Sequence, residues 1–284
     1  VSVIGELRTD RPVALVVLYR ANLVAADTAP LTSLMEALDR QGLAPLGVAV
    51  SSLKDPLVAP VLEGLIAHHK PAIVLNTTAF SALRGDDTTL LDAADVPVLQ
   101  VVLSGSARDA WQASPRGLSP SDLAMNVVLP ELDGRLLTRA ISFKAAQPAD
   151  PRLEFACVRH EPDAERIDFV ARLAAAWARL GRTPRCERRL ALVLSDYPAR
   201  GGRTGYAVGL DTAASTAEIL DHLRREGYDT GGHDWRAADV ERLLQRNAET
   251  IEISAADHSQ WLETLPGSLK QTLEETWGSP SQEA

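Results

Sequence analysis

The sequence predicts an α/β fold, a parallel sheet layered between helices, because short apolar runs of strand length alternate with stretches carrying apolar residues at helical spacing. The runs are rich in β-branched residues and lack polar alternation, the pattern of strands buried on both faces. Strand, helix and parallel strand connect right-handedly. The first half is therefore expected to form a three-layer sandwich of flavodoxin or Rossmann type, followed by a helix and the start of a second α/β unit.

Residues 13–18, VALVVL, read as the first strand. Leu31, Leu34, Met35 and Leu38 then recur at helical spacing, with Thr28 as a cap, Pro30 in the first turn and Gly42 as the stop. Residues 46–50 make a second strand. Asp55 and Pro56 start a helix whose apolar face is Leu57, Val58, Val61, Leu62, Leu65 and Ile66. Strands follow over 72–75 and 96–103. The pattern weakens at residues 147–152, QPADPR, which sets a boundary between an α/β layer domain (1–150) and a helical connector (151–188). The connector's helix, over 164–180, carries Ile167, Val170, Ala174 and Trp177 on one face. Residues 189–284 are expected to begin a second, incomplete α/β unit, with a strand over 190–194, a glycine-rich loop and a helix over 212–225 stopped by Gly227.

Composition narrows the function. The 284 residues are 45% hydrophobic and 24% charged, a globular profile, and a net charge of −9 argues against a general electrostatic grip on nucleic acid or an anionic membrane. No apolar run reaches the ~20 residues of a membrane span, and the opening VSVIGELRTD lacks the zones of a signal peptide, so a cytoplasmic location is expected. The two cysteines, Cys157 and Cys186, are too few for a disulfide framework and lack zinc-site spacing. The chain opens on Val1 without Met and reads as an internal fragment.

Residues 194–215, LSDYPARGGRTGYAVGLDTAAS, raise the question of a phosphate loop. A P-loop needs Lys and then Ser or Thr after its last glycine, and Tyr206 follows Gly205 here. Gly201, Gly202, Gly205 and Gly209 also miss the dinucleotide spacing, which leaves a strand-to-helix turn capped by Asp211 or Thr212. The histidines, His68, His69, His160, His222, His233 and His258, show no metalloprotease spacing, and no G-x-S-x-G elbow occurs.

Ligands of parallel sheets sit beyond the carboxyl ends of the strands. Tyr19-Arg20-Ala21-Asn22, Ser51-Ser52-Leu53-Lys54, Asn76-Thr77-Thr78-Ala79-Phe80 and Ser104-Gly105-Ser106 occupy that position. The most suggestive stretch is NVVLPELDGRLLTRAISF, residues 126–143, where Glu131 and Asp133 share a turn and Arg135, Arg139 and Lys144 follow. Two carboxylates in a turn can accept protons or transiently ligate a hard divalent ion. The same residues also suit an ordinary β-turn with solvated charges, and spacing leaves both readings open.

Together, YRANLVAADTAPLTSLMEALDRQGLAPLGVAVSSLKDP, IVLNTTAF, VPVLQVVLSGSARDAWQASPRGLSPSDLAMNVVLPELDGRLLTRAISFK and the glycine loop resemble the large subunit of aerobic cobaltochelatase, in the superfamily that includes the large porphyrin-binding subunit of magnesium chelatase. The resemblance covers about residues 13–230, and Asp196, Tyr206, Ala207 and Ala213 depart from the family loop. It implies ATP-dependent insertion of cobalt, as substrate ion, into the corrin hydrogenobyrinic acid a,c-diamide during cobalamin biosynthesis. It also implies that ATP and magnesium are used by separate AAA-type motor subunits, and that the remaining domains of the large subunit complete the site. Glu131 is then the expected base or metal shuttle, with Asp133 assisting. Arg108, Arg116, Arg135, Arg139 and Lys144, with Asn76 and Thr77, are the expected partners of the ring and its carboxylate rim. A magnesium chelatase subunit acting on a porphyrin and a non-catalytic small-molecule-binding α/β module are the alternatives.

Overall fold

A computed structural model describes residues 1–4, 10–85, 87–149, 152, 155–194, 205, 209–245 and 253–278. The chain divides into two compact units, Val1–Thr183 and Pro184–Ala284.

The first unit is mixed α/β. In chain order it runs β1 (Ser2–Ile4), β2 (Val13–Tyr19), α1 (Arg20–Val24), α2 (Ala29–Arg40), β3 (Ala44–Val50), α3 (Ala59–His69), β4 (Ile73–Asn76) and β5 (Val98–Leu103). Then come α4 (Arg108–Ala113), α5 (Pro120–Leu123), a π-helical turn (Ala124–Val128), α6 (Leu129–Glu131), β6 (Leu136–Ala146), β7 (Val158–Pro162) and α7 (Ala164–Arg182). The seven strands form one sheet in the order β1-β3-β2-β4-β5-β6-β7. The five central strands are parallel, and β1 and β7 close the two edges antiparallel.

Alternate residues of β2 enter two separate cores. Ala14, Val16 and Leu18 pack with Leu31, Leu34 and Leu38 of α2 and Ile167, Val170 and Ala174 of α7. Leu15 and Val17 pack with Leu62 and Ile66 of α3 and with Leu90 and Leu91. This two-sided burial is why the strands read as unbroken apolar runs. Around α3 the buried stripe is narrower than the sequence suggests, because Leu57 and Val61 are exposed.

Two strand expectations change. The strand β6 was not legible because Thr138, Arg139 and Lys144 interrupt its apolar residues; the two cations are matched by Glu165 and Asp27. The expected strand over 190–194 does not form, and Leu190, Leu192 and Val193 are exposed. A strand needs a hydrogen-bonded neighbour, and the described remainder of the second unit is mainly helical: α8 (Thr212–Arg225), α9 (Ala237–Gln245), α10 (Ala255–Thr264) and α11 (Gly267–Trp277). The expected break near residue 150 also falls elsewhere. β7 pairs with β6, and α7 places Ile167, Val170, Ala171, Ala174 and Ala178 in the core of the first unit, so that unit reaches Thr183.

Asp211 caps α8 by accepting from the Ala214 amide at 2.9 Å. Residues 195–204 and 206–208 of the glycine-rich stretch, with the departures Asp196, Tyr206 and Ala207, lie outside the described residues.

Candidate functional site

In the sheet order, β2 has β3 on one side and β4 on the other, and the chain reverses its direction of travel across the sheet between them. The carboxyl ends of β2 and β4 flank this switch point, where helix connections diverge and leave a crevice. Tyr19 ends β2 here, and Asn76 ends β4.

The crevice has a buried polar floor. Asn76 Nδ2 donates to the Thr78 carbonyl at 2.9 Å and to Gln100 Oε1 at 2.8 Å, while Gln100 Nε2 donates to the same Thr78 carbonyl at 2.9 Å. Thr77 Oγ1 donates to the Val17 carbonyl at 2.9 Å, tying the loop back to β2. The Tyr19 hydroxyl donates to the Ala79 carbonyl and accepts from the Ala79 amide, both at 3.1 Å. Burial pushes the Tyr19 pKa up against the opposing pull of its Ala79 bond and of Arg135, so the phenol keeps the proton it donates.

Asp133 and Arg135 extend the floor. The Asp133 side chain is fully buried, and its oxygens accept from Ser81 Oγ at 2.5 Å, the Ala82 amide at 2.8 Å and Arg135 Nη2 at 2.5 Å. Arg135 Nη1 reaches Gln100 Oε1 at 3.1 Å, and Arg135 Nε is buried with no partner among the described residues. Burial lowers the Arg135 pKa, opposed by the adjoining Asp133 charge. The pair therefore anchors the turn at its own site.

The rim above it is different. Glu131 is exposed at the end of α6; its carbonyl accepts from the Gly134 amide at 3.0 Å, and its carboxylate has no hydrogen-bond or ion-pair partner among the described residues. Arg20 and Lys54, just past the carboxyl ends of β2 and β3, are exposed cations without partners among the described residues. Phe80 has a left-handed backbone, φ 66°, although it is neither Gly nor Asn, and its amide donates to the Met125 carbonyl in the π-helical turn at 2.8 Å. Bulky side chains at such φ and π-helical turns both concentrate at functional sites, where surrounding structure holds them.

The structure thus separates the residues singled out in sequence. Glu131 remains free on the rim, whereas Asp133, Arg135, Asn76 and Thr77 belong to the floor. Arg108 pairs with Asp163 beside the Phe143 ring, and Arg139 pairs with Glu165 at 3.2 Å and lies 3.6 Å from the Phe169 ring centroid. Lys144 Nζ lies 3.4 Å from Asp27 Oδ2. Arg116 is exposed, and its side chain has no partner among the described residues.

Two contributions escape sequence reading. Gln100 is a lone polar residue inside the apolar strand VLQVVL, a signal that marks it in retrospect. Asp27 and His160 meet across 133 residues, with His160 Nδ1 at 2.7 Å and the His160 amide at 2.9 Å from the carboxylate, and no local pattern announces that pair. Burial tends to raise the Asp27 pKa, but the two His160 bonds and the His160 and Lys144 charges hold it below the usual carboxylate value.

Cavities occur elsewhere. One of about 510 Å³ opens at the amino edge of the sheet, lined by Arg11, Lys70, Asp95 and Arg182 among others. Another, of about 730 Å³, lies in the second unit between Arg188, Leu223 and Tyr228. Neither is lined by a candidate site residue, and the open crevice at the carboxyl edge is favoured by its switch-point position and its uncommitted groups. Among the described residues no three His, Cys, Asp or Glu side chains gather as a metal site, and no helix is long and apolar enough to cross a membrane.

Comparison with known proteins gives a consistent result. The family described as CobN/Magnesium Chelatase matches residues 4–284. The aerobic cobaltochelatase subunit CobN of a Sinorhizobium species is 40% identical over 283 residues, 95% of this chain and 22% of the relative. Its counterpart in Pseudomonas aeruginosa is 40% identical over 98% of this chain and 23% of its own length. Among solved structures, the catalytic subunit of cobaltochelatase from Mycobacterium tuberculosis superposes with a TM-score of 0.76 at 31% identity, covering 99% of this chain and 24% of that one. The chain spans less than a quarter of the length of these curated relatives.

Proposed function

Because the chain belongs to the CobN/magnesium chelatase family, we propose that it forms part of the tetrapyrrole and metal site of a cobaltochelatase. The reaction is insertion of cobalt into hydrogenobyrinic acid a,c-diamide on the way to cobalamin, driven by ATP in a ligase-type cycle. The 40% identity to cobaltochelatase subunits supports the cobalt branch over the magnesium one. ATP and magnesium belong to AAA-type motor subunits, other domains of the large subunit complete the pocket, and the chain by itself is catalytically silent. The cytoplasm is its proposed location. The two cores that sandwich β2 support the finer reading of the first unit as a flavodoxin-like three-layer sandwich.

The observation that carries this reading is Glu131, an exposed carboxylate without a partner among the described residues, on a turn pinned from below by Asp133 and Arg135. Metal insertion displaces the inner N–H proton of the corrin as cobalt sheds water and binds the ring nitrogens. A carboxylate at the ring can take that proton, or lend the ion a weak oxygen ligand while water leaves. Glu131 fills that role, and Asp133 assists by holding the turn. Arg20, Lys54 and Arg116 meet the carboxylates of the corrin rim, whereas Arg108, Arg135, Arg139 and Lys144 act through the packing they stabilise.

Glu131→Gln keeps size and removes the base. In the assembled chelatase, cobalt insertion should fall at least about 100-fold, with corrin binding within about twofold of wild type. Unchanged turnover would remove Glu131 from the mechanism.

A further inference from the structure

Phe80, Val128 and Leu132 are 50%, 56% and 63% exposed. Val128 and Leu132 are four residues apart along a continuous helical path through the π turn and α6, so they share a side, and Glu131 sits three residues beyond Val128. The bond between the Phe80 amide and the Met125 carbonyl ties Phe80 to that path. Its left-handed backbone opposes the preference of a bulky side chain, and is held in place by the Met125 bond at one end and the Tyr19–Ala79 bonds beside it. Such strain persists where surrounding structure over-determines it, and here it leaves Phe80 half exposed to solvent while its backbone is bonded to the helical path that carries two exposed aliphatic side chains. Unpaired Arg20 and Lys54 stand on the same edge of the sheet, in a protein of net charge −9.

An apolar surface with a free carboxylate at its margin and unpaired cations nearby suits a flat conjugated ring whose rim carries carboxylates. We propose that Phe80, Val128 and Leu132 form the platform on which one face of the tetrapyrrole lies, with Phe80 stacked on the ring. This rests on the tetrapyrrole reading above and adds the residues that hold the macrocycle's face. The ring is oriented so that its inner nitrogens lie toward Glu131, while Arg20 and Lys54 take the charges at its edge. Phe80 touches the ligand's apolar face, and the floor beneath sets the loop that presents it.

The test is an absorbance titration of the complete protein with hydrogenobyrinic acid a,c-diamide, comparing wild type with Phe80→Ala, Phe80→Gly, Phe80→Tyr and Val128→Ser. Loss of the stacked ring should weaken binding about tenfold in Phe80→Ala and Phe80→Gly. Phe80→Tyr should stay within about twofold and Val128→Ser should fall between. Phe80→Gly also relieves the left-handed backbone, so it should melt no lower than wild type while binding more weakly, a combination that a purely structural role would not produce. Wild type that binds the corrin while the Phe80 variants bind it equally well overturns the platform and leaves the tetrapyrrole reading standing. Equal affinity with a lowered melting temperature overturns it too, and assigns the patch to another segment of polypeptide. Wild type that shows no saturable binding removes both.

Discussion

Two layers at the carboxyl edge of the sheet differ in how their polar groups are spent. In the buried floor, Asn76, Thr77, Gln100, Asp133 and Arg135 hydrogen-bond one another and neighbouring backbone, leaving Arg135 Nε unmatched among the described residues. On the rim, the charged groups of Glu131, Arg20 and Lys54 have no partners among the described residues, and Phe80 and Leu132 are exposed. Glu131 and Asp133 make the contrast within one turn: the same chemistry is free in one and fully engaged in the other. Charge type and spacing in sequence therefore do not tell a free carboxylate from an engaged one; burial and partners do. A buried network in which most bonds are met fixes geometry because each bond lost inside it is costly, and the exposed rim can remain unpaired at little cost to stability.

The sharpest way to break this division is Asp133→Ala, which strands the buried Arg135 guanidinium. Denaturant unfolding should show a loss of about 3–5 kcal/mol, against a change within about 0.5 kcal/mol for Glu131→Gln. Similar losses in the two variants would dissolve the distinction between floor and rim.

A smaller effect is expected at Asp27, which ties the loop between α1 and α2 to β7 through His160 and also faces Lys144. Asp27→Asn should cost about 1–2 kcal/mol at neutral pH, since it weakens bonds to a charged group. The folded carboxyl titrates below its ordinary value, so its stabilisation is complete above about pH 4 and is lost as pH falls through the folded pKa. Urea melts at neutral pH and near pH 3 should show the gap between wild type and Asp27→Asn closing in acid. A gap that persists there would mean that the carboxylate charge is not its source.

Much of the first unit was legible because its physics is local. The strands β2 to β5 are buried on both faces, and the stripes of α2 and α7 repeat at helical spacing, so each announces itself within a few residues. The strand β6 was hidden because its cations are neutralised by Glu165 and Asp27, both distant in sequence. Residues 190–194 misled in the opposite direction: the β pattern is present, but no strand forms there. At the candidate site, sequence pointed to the carboxyl-edge loops and to the turn that carries Glu131 and Asp133. It did not separate Glu131 from Asp133, or free cations from paired ones, because pairing is settled by residues 26 to 117 positions away in the cases of Arg139 and Lys144.

The most direct test of the central claim, that the carboxyl edge at the switch point receives the tetrapyrrole, is amide hydrogen exchange of the complete protein with and without hydrogenobyrinic acid a,c-diamide. Slowed exchange over residues 77–82 and 124–134 is the predicted footprint. Protection confined to the amino-edge cavity around Lys70 and Asp95, or to the second unit, would contradict it.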